Sequence, residues 1–209
     1  MSIKLGLGNL TDVELPLEKK GTVPNKNWKK KQFNKNWYAG ETLITGIGQG
    51  YVLTTPIQMA FMTALIANGG KRIQPTLIKK TEDTNVSGLK DIPVNKDHLK
   101  IVKSALFKVV NEPMGTAYRI KTNPDNYILA GKTGTSQVKR ITAEERESED
   151  FRKIEIEWKD KDHSLFVGYM PADRPKFSIS VVIEHGGSGS TIAAPIARRI
   201  FDKIHELSI

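Results

Sequence analysis

Apolar positions along the first half of the chain predict two helices. Residues 55–68 are almost continuously apolar, which is typical of a buried helix. Pro56 suits the first turn of that helix, because its missing N–H would have no partner there, and Thr54 or Thr55 can cap it. A second helix is predicted over residues 96–111, where apolar side chains recur every three or four residues between lysines. Its apolar positions are Leu99, Val102, Leu106 and Val109.

The second half of the chain predicts three strands and a closing helix. Residues 163–170 and 177–183 have the alternation or apolar content of strands, and residues 128–138 predict a strand before them. Charges of both signs fill residues 139–162, which predicts a long exposed hairpin connection. The last helix is predicted over residues 191–207, and it is expected to turn Ile192, Pro195, Ile196, Ile200 and Ile204 inward. Three strands joined by hairpins and covered by helices form an antiparallel sheet of the α+β class.

The first 50 residues show no such periodicity. Glycine and proline recur through residues 1–50, which predicts turns and loops. Within them, residues 28–38 (WKKKQFNKNWY) interleave lysines with aromatic side chains, a pattern that could stack on and neutralise a single strand of nucleic acid. We favour a solvated loop anchored by two tryptophans, because no nucleic-acid-binding fold surrounds the segment, and keep the nucleic-acid binder as an alternative hypothesis. Residues 71–80 are expected to be extended, and residues 81–94 to form a polar loop.

Composition narrows the classes of function. The 209 residues suffice for one domain or a large part of one, and the formal charge of +9 favours anionic partners without specifying one. The absence of cysteine excludes disulfides and cysteine-ligated zinc. The four histidines are scattered without metal-ligand spacing, so we expect neither a metal nor a cofactor. No apolar run approaches the roughly 18 residues of a membrane span, and the first residues do not resemble a cleavable leader.

One segment carries recognisable chemistry: residues 130–136 read AGKTGTS. Its G-K-T string matches the end of a phosphate-binding loop. That loop needs a glycine five residues before Gly131, where Asn126 stands, and a helix after it rather than a strand. The glycines of residues 46–50 likewise miss the spacing of a dinucleotide-binding loop. The K-T-G string also matches the strand motif of the penicillin-recognising serine enzymes. The hydroxyl-rich strand, and the two antiparallel strands predicted after it, favour this second interpretation.

Four blocks along the chain resemble class B penicillin-binding proteins, in the order in which that family has them. They are residues 46–60 (GIGQGYVLTTPIQMA), 111–117 (NEPMGTA), 132–138 (KTGTSQV) and 184–187 (EHGG). The last two blocks, together with residues 28–38, resemble the elongation-specific branch, the penicillin-binding protein 2 group. The resemblance implies that residues 1–209 are the C-terminal part of a transpeptidase domain with the serine β-lactamase and D,D-transpeptidase fold. The N-terminal strands and the nucleophile helix of that fold are expected outside the chain.

The resemblance also implies roles for single residues. In this family a serine forms an acyl-enzyme with the D-Ala-D-Ala stem peptide of peptidoglycan and passes the acyl group to an amine on a neighbouring strand. Lys132 would place positive charge near the terminal carboxylate of the substrate and support proton transfer. The backbone N–H of Thr135 would be one of two oxyanion donors. Thr133, Gly134, Thr135 and Ser136 would bind the substrate as an extended strand added to the sheet edge.

The nucleophile that this chemistry needs is not expected in the chain. S-x-x-K strings begin at Ser87 and Ser136, but neither is predicted to open a helix, and no S-x-N string occurs. We therefore expect one wall of an active site, inactive by itself. By resemblance its partners are the stem peptide, β-lactams when the full domain is present, and elongation-complex membrane proteins at the periplasmic face of the inner membrane, with no nucleic acid. A non-catalytic scaffold that keeps the fold in order to bind a partner is the alternative.

Overall fold

The computed structural model of the chain describes residues 1–78, 91–138 and 157–207. In these residues the α-helices are α1 Lys26–Phe33, α2 Ala39–Gly46, α3 Pro56–Ala67, α4 Lys96–Asn111 and α5 Ala193–Glu206. The strands are β1 Ala130–Ser136, β2 His163–Met170 and β3 Phe177–Ile183, and short 3-10 turns cover Ser2–Leu5, Tyr118–Ile120 and Trp158–Asp160. The predicted α+β class is confirmed.

The three strands form one antiparallel sheet in the order β1-β2-β3. In its register Thr133 lies opposite Phe166, and Thr135 lies opposite Ser164. On the other side of β2, Phe166 lies opposite Val181. The predicted meander is therefore confirmed, and it places the K-T-G string on an outer strand of the sheet.

Helices cover both faces of this sheet. The hydroxyl of Ser178 donates to the carbonyl of Ala60 in α3 at 3.1 Å, so α3 lies against the face that Ser178 presents. Val181 is an odd number of positions away and presents the opposite face, where it joins Phe166 and Phe201 of α5 in the main apolar core. α4 packs along β1. The sheet is thereby held between α3 on one side and α5 on the other. α4 contributes Val110 to the main core and packs Leu106 against Ala130 and Tyr169.

The helix predictions of the middle segment are confirmed. α4 covers the predicted residues 96–111, and α3 begins at Pro56 as expected. Thr55 is the capping residue: its hydroxyl accepts the backbone N–H of Gln58 at 3.3 Å, and the Gln58 side chain accepts the backbone N–H of Thr55 at 3.0 Å. This reciprocal capping satisfies two donors that a helix start leaves unpaired.

The prediction of loops throughout residues 1–50 is wrong, because α1 and α2 lie there. α1 starts where the Asn25 side chain accepts the backbone N–H of Trp28, and it ends at Asn34, whose φ is 53°. Asparagine tolerates that left-handed conformation better than most residues. Neither helix has an apolar stripe: four of the eight residues of α1 are lysine, and α2 is short and contains two glycines. Periodicity therefore gave no signal of either.

The pairing of α1 with α2 also corrects the loop predicted over residues 28–38. The Lys29 ammonium is buried, where it forms an ion pair with Glu41 and lies 4.5 Å from the centre of the Tyr38 ring. Glu41 also accepts the backbone N–H of Tyr38 at 2.7 Å, at the start of α2. Long-range contacts of a charged residue thus stabilise two helices whose local sequence is weakly helical.

The ends of other elements differ from prediction. β1 covers 130–136 rather than 128–138, and α5 covers 193–206 rather than 191–207. The inward face of α5 is made by Ala193, Ala194, Ala197 and Phe201, with Ile196 and Ile204 partly buried beside them. Ile192 and Ile200 are 37% and 41% exposed, so the expectation that they face inward is wrong. The small alanines let α5 lie close to the sheet, which moves the contact face away from these isoleucines.

Several predicted loops lie wholly or partly in residues that the structure does not describe. Most of the predicted loop 81–94 and most of the charged connection 139–162 lie outside the described residues, as does Ser87. Residues 71–78 form no strand. Every helix in the described residues is too short or too polar to cross a lipid bilayer.

A polar network fixes the segment between α4 and β1 onto α5. The hydroxyl of Tyr127 donates to Asp202 at 2.8 Å, and Arg198 donates to the same carboxylate at 2.8 Å. Arg198 also donates to the carbonyls of Ile120 and Lys121 at 3.0 and 2.6 Å. Burial, followed by the Asp202 carboxylate, raises the pKa of Tyr127, so its hydroxyl stays a donor at neutral pH. The chain therefore enters β1 from a fixed position.

Candidate active-site strand

The outer edge of β1 is open in the described part of the chain, because β1 pairs there only with β2. Two carbonyls show which backbone groups face this edge. The Thr133 carbonyl accepts Lys132 Nζ at 2.6 Å, and the Thr135 carbonyl accepts the Gln49 side-chain amide at 3.0 Å. In an extended strand the N–H and C=O of one residue point to the same side. The N–H groups of Thr133 and Thr135 therefore also face outward, two residues apart.

Lys132 stands on this edge as an exposed cation. Within residues 1–78, 91–138 and 157–207 no carboxylate forms an ion pair with it, and its ammonium donates to the carbonyl of the next residue instead. A lysine whose strongest contact is a neutral backbone carbonyl keeps its charge available for an anionic ligand. The edge thus combines outward backbone donors with an adjacent positive charge.

The segment at 111–117 reaches β1 through a pair of hydroxyls. The hydroxyls of Thr116 and Thr133 lie 2.8 Å apart. Thr116 is held in place because the N–H of Ala117 donates to the Val109 carbonyl at 3.0 Å. A Cβ added at Gly115 would lie only 2.2 Å from that same carbonyl oxygen, so only glycine fits there. The block at 111–117 and the K-T-G strand are separate in the sequence, and they therefore meet in one surface.

The block at 46–51 also reaches β1, through Gln49. The backbone N–H of Gln49 donates to the carbonyl of Ile44 at 3.0 Å, which closes the end of α2. Gly48 and Gly50 on either side have φ values of 76° and 73°, which glycine adopts without strain. This turn points the Gln49 side chain at Thr135. The sequence marked the block only by family resemblance, and Gln49 is a site residue that sequence reasoning missed.

The glycine-rich loop between β3 and α5 packs over the strand. Gly189 lies so close that an added Cβ would be 2.2 Å from the Gly134 carbonyl oxygen. The loop is anchored by the buried Ser164, whose hydroxyl donates to the Ser188 carbonyl at 3.0 Å and accepts the N–H of Ala193 at 3.0 Å. Ser164 lies opposite Thr135 in the sheet. The run of glycines and serines after β3 is the signal that could have indicated this contact.

Of the remaining predicted site residues, Ser136 ends β1 beside His163 of β2. It lies in a strand rather than at the start of a helix, which is the position that a serine nucleophile of this type needs. The rings of His163 and His185 lie 4.7 Å apart, and His163 Nδ1 accepts the backbone N–H of His185. In the described residues no group of three histidine or acidic side chains is placed to share a metal ion.

Comparison with known proteins identifies one family over most of the chain. The family model of the penicillin-binding protein transpeptidase domain matches residues 2–202. The peptidoglycan D,D-transpeptidase MrdA of Haemophilus influenzae is 33% identical over 204 residues, which are 94% of this chain and 31% of that protein. The enzyme of the same name from Acinetobacter baumannii is 35% identical over 95% of this chain and 29% of its own length. The chain thus spans about a third of the curated relatives that it matches.

Solved structures show the same likeness. The complex between the penicillin-binding protein PBP2 and MreC from Helicobacter pylori superposes with a TM-score of 0.79 at 35% identity, over 98% of this chain and 35% of that one. Pseudomonas aeruginosa PBP2 in complex with WCK 5153 superposes with a TM-score of 0.78 at 34% identity, over 97% of this chain and 42% of that one.

Proposed function

The chain belongs to the penicillin-binding protein transpeptidase family, and on that premise we propose that it is the C-terminal part of a peptidoglycan D,D-transpeptidase domain. The observation that carries the proposal is the open edge of β1. There the backbone groups of Thr133 and Thr135 face outward beside the exposed Lys132. An extended peptide that ends in a carboxylate is the ligand that this combination suits.

In the proposed mechanism the stem peptide pairs with β1 as an added strand. Gly134 has no side chain to hold the peptide away, so its backbone can approach closely. The hydroxyls of Thr133 and Thr135 offer hydrogen bonds to the terminal carboxylate, and Ser136 lies at the end of the same strand. The Lys132 ammonium balances the charge of that carboxylate. Binding through backbone pairing also explains why the strand carries small residues.

The chemical step is acyl transfer in two stages. A serine hydroxyl attacks the carbonyl between the two D-alanines, and the terminal D-alanine leaves with a proton. An amine of a neighbouring peptide then attacks the acyl-enzyme and restores the serine. In both stages negative charge develops on the carbonyl oxygen, and the Thr135 N–H is one of the two donors that stabilise it. Losing such a donor typically lowers the rate by roughly 100- to 1000-fold.

We propose that the serine belongs to sequence upstream of Met1. Ser136 lies on β1, and the 209 residues contain no S-x-N string. The relatives are about three times as long as the matched region. Lys132 and Thr135 are then one wall of the site, and the serine motifs are the other.

Labelling with a fluorescent penicillin tests the proposal. The 209-residue chain is expected to remain unlabelled after denaturation. A protein extended in frame through the upstream coding sequence is expected to be labelled on the serine of an S-x-x-K motif. Lys132→Met in the extended protein should lower the labelling rate at least about 100-fold, because it removes the cation from the edge. Covalent labelling of the 209-residue chain would contradict the missing nucleophile, and an extended protein without labelling would favour a non-catalytic scaffold.

We further propose that the whole protein acts at the outer face of the inner membrane with elongation-complex proteins. The support is that its structural neighbour from Helicobacter pylori was solved with MreC. β-Lactams would occupy the same β1 edge as the stem peptide, because their carboxylate would meet the same outward donors and the Lys132 cation.

A further inference from the structure

Gln49 makes a contact with β1 that the transpeptidase proposal leaves unused. Its side-chain amide donates to the Thr135 carbonyl at 3.0 Å, although 86 residues separate the two in the sequence. The Thr135 carbonyl is one of the outward backbone groups of the strand. Gln49 therefore supplies, from the side, the hydrogen bond that a paired strand would supply.

The backbone that presents Gln49 is tied down on both sides. Before it, the end of α2 is closed by the bond from the Gln49 N–H to the Ile44 carbonyl. After it, Leu53 and Thr22 exchange two backbone hydrogen bonds of 2.7 and 3.0 Å. The fully buried Gln58 then anchors this region, because its amide donates to the carbonyls of Asn9 and Lys20 at 2.6 and 2.9 Å. The backbone that carries Gln49 is thus held in place beside β1.

The contact has a consequence for the geometry of Thr135. On one side, the pairing of β1 with β2 holds Gly134 opposite Leu165. On the other side, Gln49 holds the peptide group that follows Thr135. With both neighbouring peptide groups fixed, the Thr135 N–H has one direction, outward from the edge. A carbonyl oxygen has two lone pairs, so Thr135 can still accept a hydrogen bond from a bound peptide.

We infer that Gln49 is a positioning residue for acyl transfer, which aims the Thr135 N–H at the developing oxyanion by holding the Thr135 carbonyl. The inference rests on the proposed transpeptidase function. Misplacing a donor by a fraction of an ångström lowers the rate without removing the donor. Loss of the Gln49 amide should therefore slow acylation less than loss of an oxyanion donor itself, by about tenfold.

Gln49→Met is the variant that tests this, in the full-length protein that contains the chain. Methionine has a similar length and no charge, but it cannot donate to Thr135. Gln74→Met is the matched control, because the Gln74 amide also donates to backbone carbonyls, those of Thr11 and Asp12, far from β1 in the sequence. We expect about tenfold slower acylation by benzylpenicillin in Gln49→Met only, with melting temperatures within error of each other in the two variants.

A spectroscopic readout separates positioning from a general structural role. Thr135-Ser136 is the one Thr-Ser pair in the 209 residues, so ¹³C-carbonyl threonine with ¹⁵N serine labels the Thr135 carbonyl selectively within them. In the full-length protein, the signal that disappears in a Ser136→Ala variant identifies the Thr135 carbonyl resonance. Loss of its hydrogen bond should move that carbonyl resonance upfield in Gln49→Met and leave it unchanged in Gln74→Met. The inference alone is overturned if benzylpenicillin acylates the wild-type protein and the Gln49→Met variant reacts at the same rate. It is also overturned if the variant keeps the wild-type carbonyl resonance. A wild-type protein that benzylpenicillin does not acylate overturns the proposed function, and the inference with it.

Discussion

At the scale of single residues, Gly189 shows how closely the glycine-rich loop fits the candidate site. A Cβ at this position would lie 2.2 Å from the Gly134 carbonyl oxygen and 2.4 Å from that of Leu165. Both are backbone atoms of the sheet, so they cannot swing aside as a side chain does. We expect Gly189→Ala to lower the free energy of unfolding by about 1–3 kcal/mol, because the loop must lift from β1 and β2. Urea denaturation measures this.

Gly46→Ala is the matched control for that substitution. No heavy atom lies within 4 Å of a Cβ added at Gly46, which is in α2. Alanine is the better helix former, so this variant should be more stable by roughly 0.5–1 kcal/mol. Equal urea midpoints for the two variants would show that the loop does not press on the strand as the structure indicates.

At the scale of elements, the helices and strands that could be predicted are those with a regular apolar pattern within their own sequence. α3 and α4 followed from continuous apolar content or three- and four-residue spacing, and β3 followed from alternation. α1 and α2 were missed because a partly buried ion pair between Lys29 and Glu41, twelve residues apart, stabilises them. No period in the sequence reports such a contact.

In the candidate site, likewise, only the contiguous part could be predicted from the sequence. The K-T-G string is contiguous, so Lys132 and Thr135 could be named from the sequence. Gln49 and Thr116 meet β1 only after folding, across 86 and 17 residues. Their blocks could be recognised by resemblance, but the contacts themselves depend on turns at Gly48 and Gly115 that a single sequence does not specify.

The α1–α2 pair should respond to acid. The hydrogen bond from the Lys29 ammonium, followed by that from the Tyr38 N–H, lowers the pKa of Glu41 below its usual 4.5. A carboxyl with a lowered folded-state pKa contributes stability that is fully present above its unfolded-state pKa and is lost as the pH falls through the folded-state value. We therefore expect the pairing to be constant at neutral pH and to weaken below about 4.5.

Tryptophan fluorescence can follow this pairing, because Trp28 packs against Tyr51 and Trp37 donates to Thr42 of α2. A Trp158→Phe background leaves only these two emitters. Glu41→Gln keeps the side-chain shape and removes the titrating group, so its fluorescence should lack the Glu41 component of the acid transition. Identical acid profiles for the Trp158→Phe protein with and without Glu41→Gln would contradict the assignment of this transition to Glu41.

At the scale of the whole molecule, both outer strands of the sheet lack a second neighbour in the described residues. For β1 this is the proposed substrate edge. For β3 the open edge has no proposed ligand, and its side chains are mostly only half buried. Unpaired strand edges recruit other chains, and a sheet face that is incompletely covered contributes less apolar burial. We expect the 209-residue chain by itself to be marginally stable and prone to aggregate.

Hydrogen exchange gives this expectation an internal control, because β2 is paired on both sides and β3 on one. The amides of residues 163–170 should all exchange slowly for a chain of this stability. Those of residues 177–183 should alternate, with every second amide exchanging fast, because it faces the open edge. The alternation separates an open edge from general unfolding, which would speed exchange in both strands alike. Slow exchange throughout 177–183, together with a cooperative thermal transition, would mean that the chain closes this edge by itself.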